Sequence, residues 1–437
     1  MPMPVAVEEL VRRRKPGHTL DAPFYRSREI YDLDLRLIFG RHWIYVGVEP
    51  DVPESGDCMT VDIGEASVLL IRGEDMRIRA FHNVCRHRGA RLIDDHKATV
   101  GNIICRYHQW TYAEDGRLLF AEHMGAGFDT SCHGLKPVHL RSVSGLIFVC
   151  LADEPPADIE AMATAMQPYL APHEIANCRI AHASDIIEEG NWKLTMENNR
   201  ECYHCAANHP ELTIPLFEYG FGFSPDELDD DRRDHAGQYE TLLKDSHTRW
   251  ESCGLPSQEI DRLNTAVTGF RTERLPLSGA GESHTIDTRV ASRKLLGSLR
   301  DRNLGGLSFW TQPNSWHHFM SDHIVTFSVL PLEPERTLLR TKWLVHKDAV
   351  EGVDYDLTNL TQVWLKTNKQ DGDLVAMAQR GVRQPAYEPG PYSPYTEGLV
   401  EKFCDWYIGR MAAHMLPAPV PVPVPTPKRP ARRSRAI

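Results

Sequence analysis

Two short mixed motifs, CRH at residues 85–87 and CRYH at 105–108, constrain this chain more than any other feature. Together they read C-x-H, a seventeen-residue gap, then C-x-x-H. A structural zinc site made of two cysteines and two histidines usually groups like with like. One thiolate and one imidazole in each half instead suit a Rieske [2Fe–2S] centre, in which two Cys hold one iron and two His hold the other. Cys85, His87, Cys105 and His108 are therefore the candidate ligands, presented from the tips of two facing loops. Imidazole ligands also leave such a cluster easier to reduce than an all-thiolate one. His82 and His96 lie nearby without matching spacing and read as surface or hydrogen-bonding residues.

The surrounding segments fit a small β-rich unit. VLLIRG, MRIRAFHNV and LIFVCL are short and β-prone, with Gly, Asp or Glu between them, which predicts an antiparallel unit over about 45–152. Before it, SREIYDLDLRLIFGRHW places Ile30, Leu33, Leu37 and Ile38 on one helical face. After it, Pro155 and Pro156 break the chain ahead of the helical pattern ADIEAMATAMQPYL. Further on, HIVTFSVLPLEPERTLLRTKWLVH reads as a hairpin, with Val325, Phe327 and Val329 alternating against Thr341, Trp343 and Val345. A helix is predicted from Tyr355 to about Gln379, with Leu357, Leu360 and Trp364 on one stripe. The expected fold class is α+β: an N-terminal helical segment over 1–44, the β-rich unit over 45–152, and a larger helix-grip-like domain over 153–416. That domain has a central antiparallel sheet and covering helices. The alternating proline tail PAPVPVPVPTPKRPARRSRAI, 417–437, favours extended, solvated chain.

A second cluster lies in ENNRECYHCAANHPEL, residues 197–212. His204 and His209 are five apart, too far round a regular helix to meet at one ion. Pro210 disfavours the α region at His209, so that residue is expected where the helix ends or distorts. Two histidines at such an exit, joined by one distant carboxylate, would make the facial triad of a non-heme Fe(II) site. LKTNKQDGDLVAMAQRG offers Asp371 and Asp373 on different helical faces, and Asp371 is favoured. Cys202 and Cys205 have no partner CxxC and are read as small buried thiols. Glu197 could orient a ligand, cap or be solvated. DELDDDRRDH, 226–235, reads as a solvated loop.

Composition narrows the partners. Net charge is −11 even though Lys428, Arg429, Arg432, Arg433 and Arg435 crowd the last ten residues. The rest of the chain is more acidic still and poorly suited to nucleic acid. No run is long and apolar enough for a membrane span, and MPMPVAVEELVRRRK lacks the apolar core of a secretory signal. A cytoplasmic location is expected. Ten cysteines in such a chain suggest thiols or metal ligands before disulfides. No G-x-G-x-x-G follows a predicted strand, so no bound flavin or NAD is expected and electrons must come from another polypeptide.

CRHRGA…CRYHQWTY together with NWKLTMENNRECYHCAANHPEL resembles the catalytic α subunits of Rieske non-heme iron oxygenases, from about Phe24 to Met411. The resemblance implies a [2Fe–2S] cluster on Cys85, His87, Cys105 and His108, and a mononuclear Fe(II) on His204, His209 and Asp371. It also implies a head-to-tail homotrimer and a separate flavin and plant-type ferredoxin reductase. Ring-hydroxylating members carry Asp three residues before the first iron histidine, bridging to a cluster histidine of the next subunit; here Glu201 stands there. MENNRECYHC, PNSWHHFMSDH and LVHKDAVEGVDYD are similar to the branch acting on quaternary ammonium compounds. That branch implies O2-dependent N-demethylation of glycine betaine, with stachydrine, carnitine or an aromatic ring as alternative substrates. A trimethylammonium group would favour an aromatic cage, for which Tyr203, Phe217, Tyr219, Phe221, Phe223, Trp310 and Trp316 are candidates, and an Arg or backbone donors would meet its carboxylate.

Overall fold

The computed structural model describes residues 6–415; the tail expected at 417–437 lies outside the described residues. The first half is built from three small antiparallel sheets. Strands β1 (Ile44–Val48), β9 (His139–Val143) and β10 (Leu146–Cys150) form one, in the order β1-β10-β9. The second, ordered β4-β3-β2-β5, joins β2 (Asp57–Ile63), β3 (Ala66–Arg72), β4 (Ile78–His82) and β5 (Lys97–Thr99). The third is β6 (Ile103–Ile104), β7 (Thr111–Tyr112) and β8 (Leu118–Phe120). Ile71, Phe81, Ile103, Trp110 and Tyr112 share one buried cluster with Cys85 and Cys105, so the two loop motifs stand on a packed apolar floor.

The second half centres on a seven-stranded antiparallel sheet ordered β11-β17-β16-β15-β14-β13-β12. Its members are β11 (Cys178–Glu188), β12 (Ile260–Asp261), β13 (Phe270–Leu275), β14 (Gly306–Thr311), β15 (Ser315–Phe319), β16 (His323–Glu333) and β17 (Arg336–His346). From β12 to β17 the chain meanders through neighbouring strands, and β11 closes the far edge. The predicted hairpin is β16–β17, with Val325 opposite Trp343 and Phe327 opposite Thr341. Both faces of β16 are buried along most of its length, because helices and the β-rich unit cover the sheet on opposite sides. With helices and mixed sheets in separate stretches, the fold is α+β as expected.

The long helix Leu357–Val382 crosses the sheet. Asp356 caps it by accepting from Asn359 N at 2.9 Å, and Leu360, Val363, Trp364 and Thr367 form its buried stripe. Against it packs the helix Trp192–Asn199, capped by Asn191, which accepts from Lys193 N at 3.0 Å.

Two buried acids hold the parts together. The N-terminal helix Arg28–Leu33 runs on into a π-helical stretch, Asp34–Phe39, where the wider turn delivers Asp34 inward. The Asp34 carboxylate accepts from Trp192 Nε1 at 2.9 Å, from Tyr407 OH at 2.6 Å and from Lys193 Nζ. Asp51, in the 3-10 turn Glu49–Asp51 that follows β1, accepts from Lys342 Nζ of β17 at 2.6 Å and faces Lys97 Nζ at 2.9 Å. Burial alone would raise the Asp51 carboxyl, but the two lysines outweigh it and hold it at about 2. The charge rich run expected as a loop at 226–235 differs: Asp230 opens the helix Asp230–Ser252. Asp229 caps it by accepting from Arg232 N at 2.9 Å, and acids in a first turn favour the positive helix end. Among the described residues no helix is long and apolar enough to cross a membrane.

Candidate active site

The two cysteine loops are built alike. Cys85 N donates to Ala90 O and Gly89 N to Cys85 O; Cys105 N donates to Trp110 O and Gln109 N to Cys105 O, all between 2.8 and 3.1 Å. Each loop turns through a positive φ four residues after its cysteine, at Gly89 and Gln109. Both thiols are buried, whereas His108 lies exposed at its loop tip. The His87 and His108 rings approach to 4.6 Å between centroids, and His87 stacks on Trp110 at 4.9 Å. His87 Nδ1 is buried without a hydrogen-bond partner among the described residues. An orphaned imidazole nitrogen beside two buried thiols fits a metal cluster better than any polar network. Tyr112 OH sits 3.3 Å from Cys85 Sγ and accepts from Arg86 N at 3.0 Å, which leaves its hydrogen for the sulfur. His96 Nδ1 contacts Thr60 O at 2.8 Å, a hydrogen-bonding role.

His204 and His209 bracket a single four-residue helical turn, Cys205–Asn208. His209 leaves it at φ −123°, ψ 68°, the break that the following proline demands, and the two rings swing toward each other. Their Nε2 atoms lie 3.0 Å apart, and Asp371 Oδ1 stands 3.3 Å from the first and 3.0 Å from the second. Asp373 points away to Lys369 at 2.7 Å. Donor atoms at about 2.1 Å from one ion and at right angles to each other are about 3 Å apart, the spacing found here.

The outer partners fix which nitrogens face inward. His204 Nδ1 donates to Glu201 Oε1. His209 Nδ1 donates to Gln370 Oε1 at 2.8 Å; that amide is oriented because Gln370 Nε2 donates to Glu211, which also accepts from Lys366 at 2.8 Å. With both Nδ1 atoms protonated, each neutral ring turns an Nε2 lone pair toward the other and toward the Asp371 oxygen. Three converging lone pairs need a positive charge between them. Burial opposes charge on His204, yet Asp371 and Glu201 outweigh it and lift the imidazole to about 9. Burial likewise raises Asp371, and the two histidines reverse that and hold it below its usual value. A divalent ion answers the same demand, so these residues fit the mononuclear iron. Asn198 Nδ2 donates to Asp371 Oδ1 at 2.6 Å.

This site opens into a cavity of about 80 Å³. Leu212, Leu216, Leu275 and Leu277 form its apolar wall, and among the described residues no lysine or arginine lines it. Of the aromatic candidates, Trp310 reaches the cavity, with the Arg271 guanidinium 5.0 Å from its ring centre. Trp316 is instead stacked on Phe327 in the core. Tyr203, Phe217, Tyr219 and Phe223 line neighbouring hollows beyond Cys202, while the side chain of Phe221 lies outside the described residues. The sequence reading missed Trp364, His284 and His318, which line the end of the cavity. Cys202 and Cys205, expected as free thiols, are joined in a disulfide in the cavity wall; three residues of a tight turn bring them within reach. Glu197 faces away from the histidines and accepts from Tyr25 OH at 2.9 Å.

Residues 42–136 match the Rieske [2Fe-2S] domain, and residues 175–413 match the ring hydroxylating alpha subunit (catalytic domain). The glycine betaine monooxygenase oxygenase subunit of Chromohalobacter salexigens is 44% identical, over 94% of this chain and 89% of that protein. The protein of the same name from Pseudomonas aeruginosa strain UCBPP-PA14 is 42% identical, over 93% of this chain and 92% of its own length. The carnitine monooxygenase oxygenase subunit of Escherichia coli K12 is 31% identical over 47% of this chain and 56% of that protein. A crystal structure of the quaternary ammonium Rieske monooxygenase CntA with L-carnitine shares the fold: TM-score 0.65, 20% identity, 92% of this chain and 98% of that one. The two domains imply a Rieske cluster and a mononuclear iron; ligand atoms of His204, Cys205 and His209 lie within 4.8 Å of one another, but Cys205 is held in its disulfide with Cys202, so Asp371 is the third donor that fits the iron. With one half of each kind and close relatives along nearly its whole length, the chain belongs to the family of Rieske-type ring-hydroxylating oxygenase α subunits.

Proposed function

We propose that this chain is the oxygenase component of a two-component monooxygenase that hydroxylates an N-methyl carbon of glycine betaine. One oxygen atom of O2 enters a C–H bond, and the other leaves as water with two electrons and two protons. The N-hydroxymethyl product then loses its O–H proton, the C–N bond breaks with its electron pair on nitrogen, and formaldehyde and dimethylglycine are released. The observation that carries the substrate is the contrast in likeness. The two glycine betaine relatives match at 42–44% along at least 89% of their length, the carnitine relative at 31% over 56% of its own.

In this reading Cys85, His87, Cys105 and His108 hold the cluster, within a unit spanning 45–152. His204, His209 and Asp371 hold the iron in the unit spanning 153–416. The bound metals supply electron storage and the reductive activation of O2. The chain's own groups do the rest. Gln370 and Glu201 keep the two Nδ1 protons in place, Asn198 orients Asp371, and the leucine wall keeps bulk water from the reacting methyl group. Glu201 also serves as the bridge between subunits of a head-to-tail homotrimer, standing where ring-hydroxylating members carry Asp; within its own chain its Oε1 accepts from His204 Nδ1 and its Oε2 from Tyr203 N. A separate flavin and ferredoxin-type NAD(P)H reductase supplies the electrons.

The test is formaldehyde release by the holoenzyme with a matched reductase and NAD(P)H, over glycine betaine, stachydrine, carnitine and an aromatic acid. Turnover is expected to be fastest with glycine betaine. Silence with every betaine overturns the proposal.

A further inference from the structure

Two imidazoles, His284 and His318, line the cavity beside Trp364. Trp364 Nε1 lies 3.3 Å from His284 Nδ1. An indole nitrogen only donates, so His284 Nδ1 carries the lone pair and the neutral ring carries its hydrogen on Nε2. His318 stacks on Trp364 at 4.6 Å, and its Nδ1 faces Ser308 Oγ at 3.1 Å. Ser308 Oγ can give its hydrogen to that nitrogen, which places the second N–H on His318 Nε2, an atom buried without a partner among the described residues. Burial, above all, keeps both imidazoles neutral: it lowers His284 to about 3 and His318 well below its ordinary value. Gly306, on the same cavity wall, leaves His284 Nε2 open. A methyl group there would sit 3.3 Å from that nitrogen.

A buried N–H with nothing to donate to costs free energy until a ligand supplies an acceptor. Among the described residues the cavity lining has no lysine or arginine that could take a ligand's anionic end. We propose that His284 and His318 form the carboxylate-recognition subsite, each donating from Nε2 to the carboxylate of a small quaternary ammonium acid whose methyl groups face His204, His209 and Asp371. This rests on the substrate reading above and assigns the residues that read its anionic end. The two histidines bind substrate and take no part in the oxidation. Trp364 and Ser308 are positioning residues: Trp364 fixes the tautomer of His284, and Ser308 holds the His318 ring through its Nδ1.

The test is calorimetric titration of anaerobic holoenzyme with glycine betaine and, as a probe lacking a carboxylate, tetramethylammonium. His318→Phe keeps the stack on Trp364 and removes the donor; His318→Gln restores a donor. Gly306→Ala leaves both histidines intact and covers His284 Nε2. Loss of a hydrogen bond to a charged group predicts a rise of about ten- to a hundred-fold in the Kd and KM for glycine betaine in H318F. A smaller rise is expected in H318Q and G306A, with tetramethylammonium unchanged and the Rieske absorption intact. Equal glycine betaine affinity in wild type and H318F overturns the inference alone, as does an equal loss for both probes. If the wild-type enzyme binds no glycine betaine, the substrate reading falls and takes this subsite with it.

Discussion

Replacing Gln370 by Leu isolates the outer hydrogen bond that sets the tautomer of His209. Gln370 Oε1 accepts from His209 Nδ1 at 2.8 Å, and the amide cannot flip at low cost because its nitrogen donates to Glu211 at 3.1 Å. Without that acceptor, the buried His209 ring has no reason to keep its hydrogen on Nδ1, and the tautomer with Nε2–H points a hydrogen at the metal. Outer partners of ligating histidines are worth about ten- to a hundred-fold in metal affinity, or roughly 1.4–2.7 kcal/mol. The assay is iron per Rieske cluster after dialysis against a graded chelator, with cluster content read from visible absorption. Q370L is expected to lose mononuclear iron at about ten- to a hundred-fold lower chelator concentration while its cluster is unchanged. Identical chelator profiles for Q370L and wild type would refute the tautomer argument.

Three further perturbations address other parts of the molecule. Asp34→Ala strands the buried Lys193 ammonium and should destabilise the protein by about 3–5 kcal/mol in urea unfolding; a loss under 1 kcal/mol contradicts the network. Tyr112→Phe removes the hydroxyl 3.3 Å from Cys85 Sγ, and protein-film voltammetry should show a lower cluster potential; an unchanged potential refutes that bond. Burial raises Glu197 to about 7, against opposition from Tyr25 and Lys193. Its folded pKa therefore exceeds its unfolded one, so its contribution is fully present below about 4.5, falls as pH rises through about 7, and is then lost. Glu197→Gln should flatten the decline of the urea midpoint between pH 5 and 8, and parallel slopes for the two proteins refute it.

The parts of the site that were legible in sequence are those set by local geometry. A five-residue histidine spacing followed by Pro210 announces a broken turn, and the structure contains one, Cys205–Asn208 between the two rings. The choice between Asp371 and Asp373 was legible only as two helical faces; the tertiary packing of the long helix against Trp192–Asn199 brings Asp371 to the histidines. The cavity end was not legible at all, because its residues come from a loop at 284, β14 at 308, β15 at 318 and the long helix at 364. Only the pairing of Ser308 with His318 and the packing of the helix across the sheet unite them. One signal was present: in a strand, His317 and His318 must face opposite sides, so one of the two had to meet the helix layer. Asp229 to Asp231 were misread as loop because acidic runs are both solvated surface and good helix starts, and composition alone does not separate the two.

The two ends of the cavity differ in a way that bears on orientation. At the triad of His204, His209 and Asp371, a divalent ion would offset the Asp371 and Glu201 carboxylates and leave little net field for a zwitterion. A free carboxylate arriving there would nonetheless find a metal, and chelation would hold the substrate with its methyl groups pointing the wrong way. Neutral N–H donors at the opposite end counter this, because a carboxylate taken out of water must find hydrogen bonds wherever it settles. Rings held in advance by Trp364 and Ser308 offer those bonds with little reorganisation. A lysine or arginine in the same place would attract the carboxylate more strongly, but it would also repel the trimethylammonium group only a few bonds away. Uncharged imidazoles therefore suit a short zwitterion better than a cation does, and the same choice should weaken any ligand that carries a carboxylate at a very different reach.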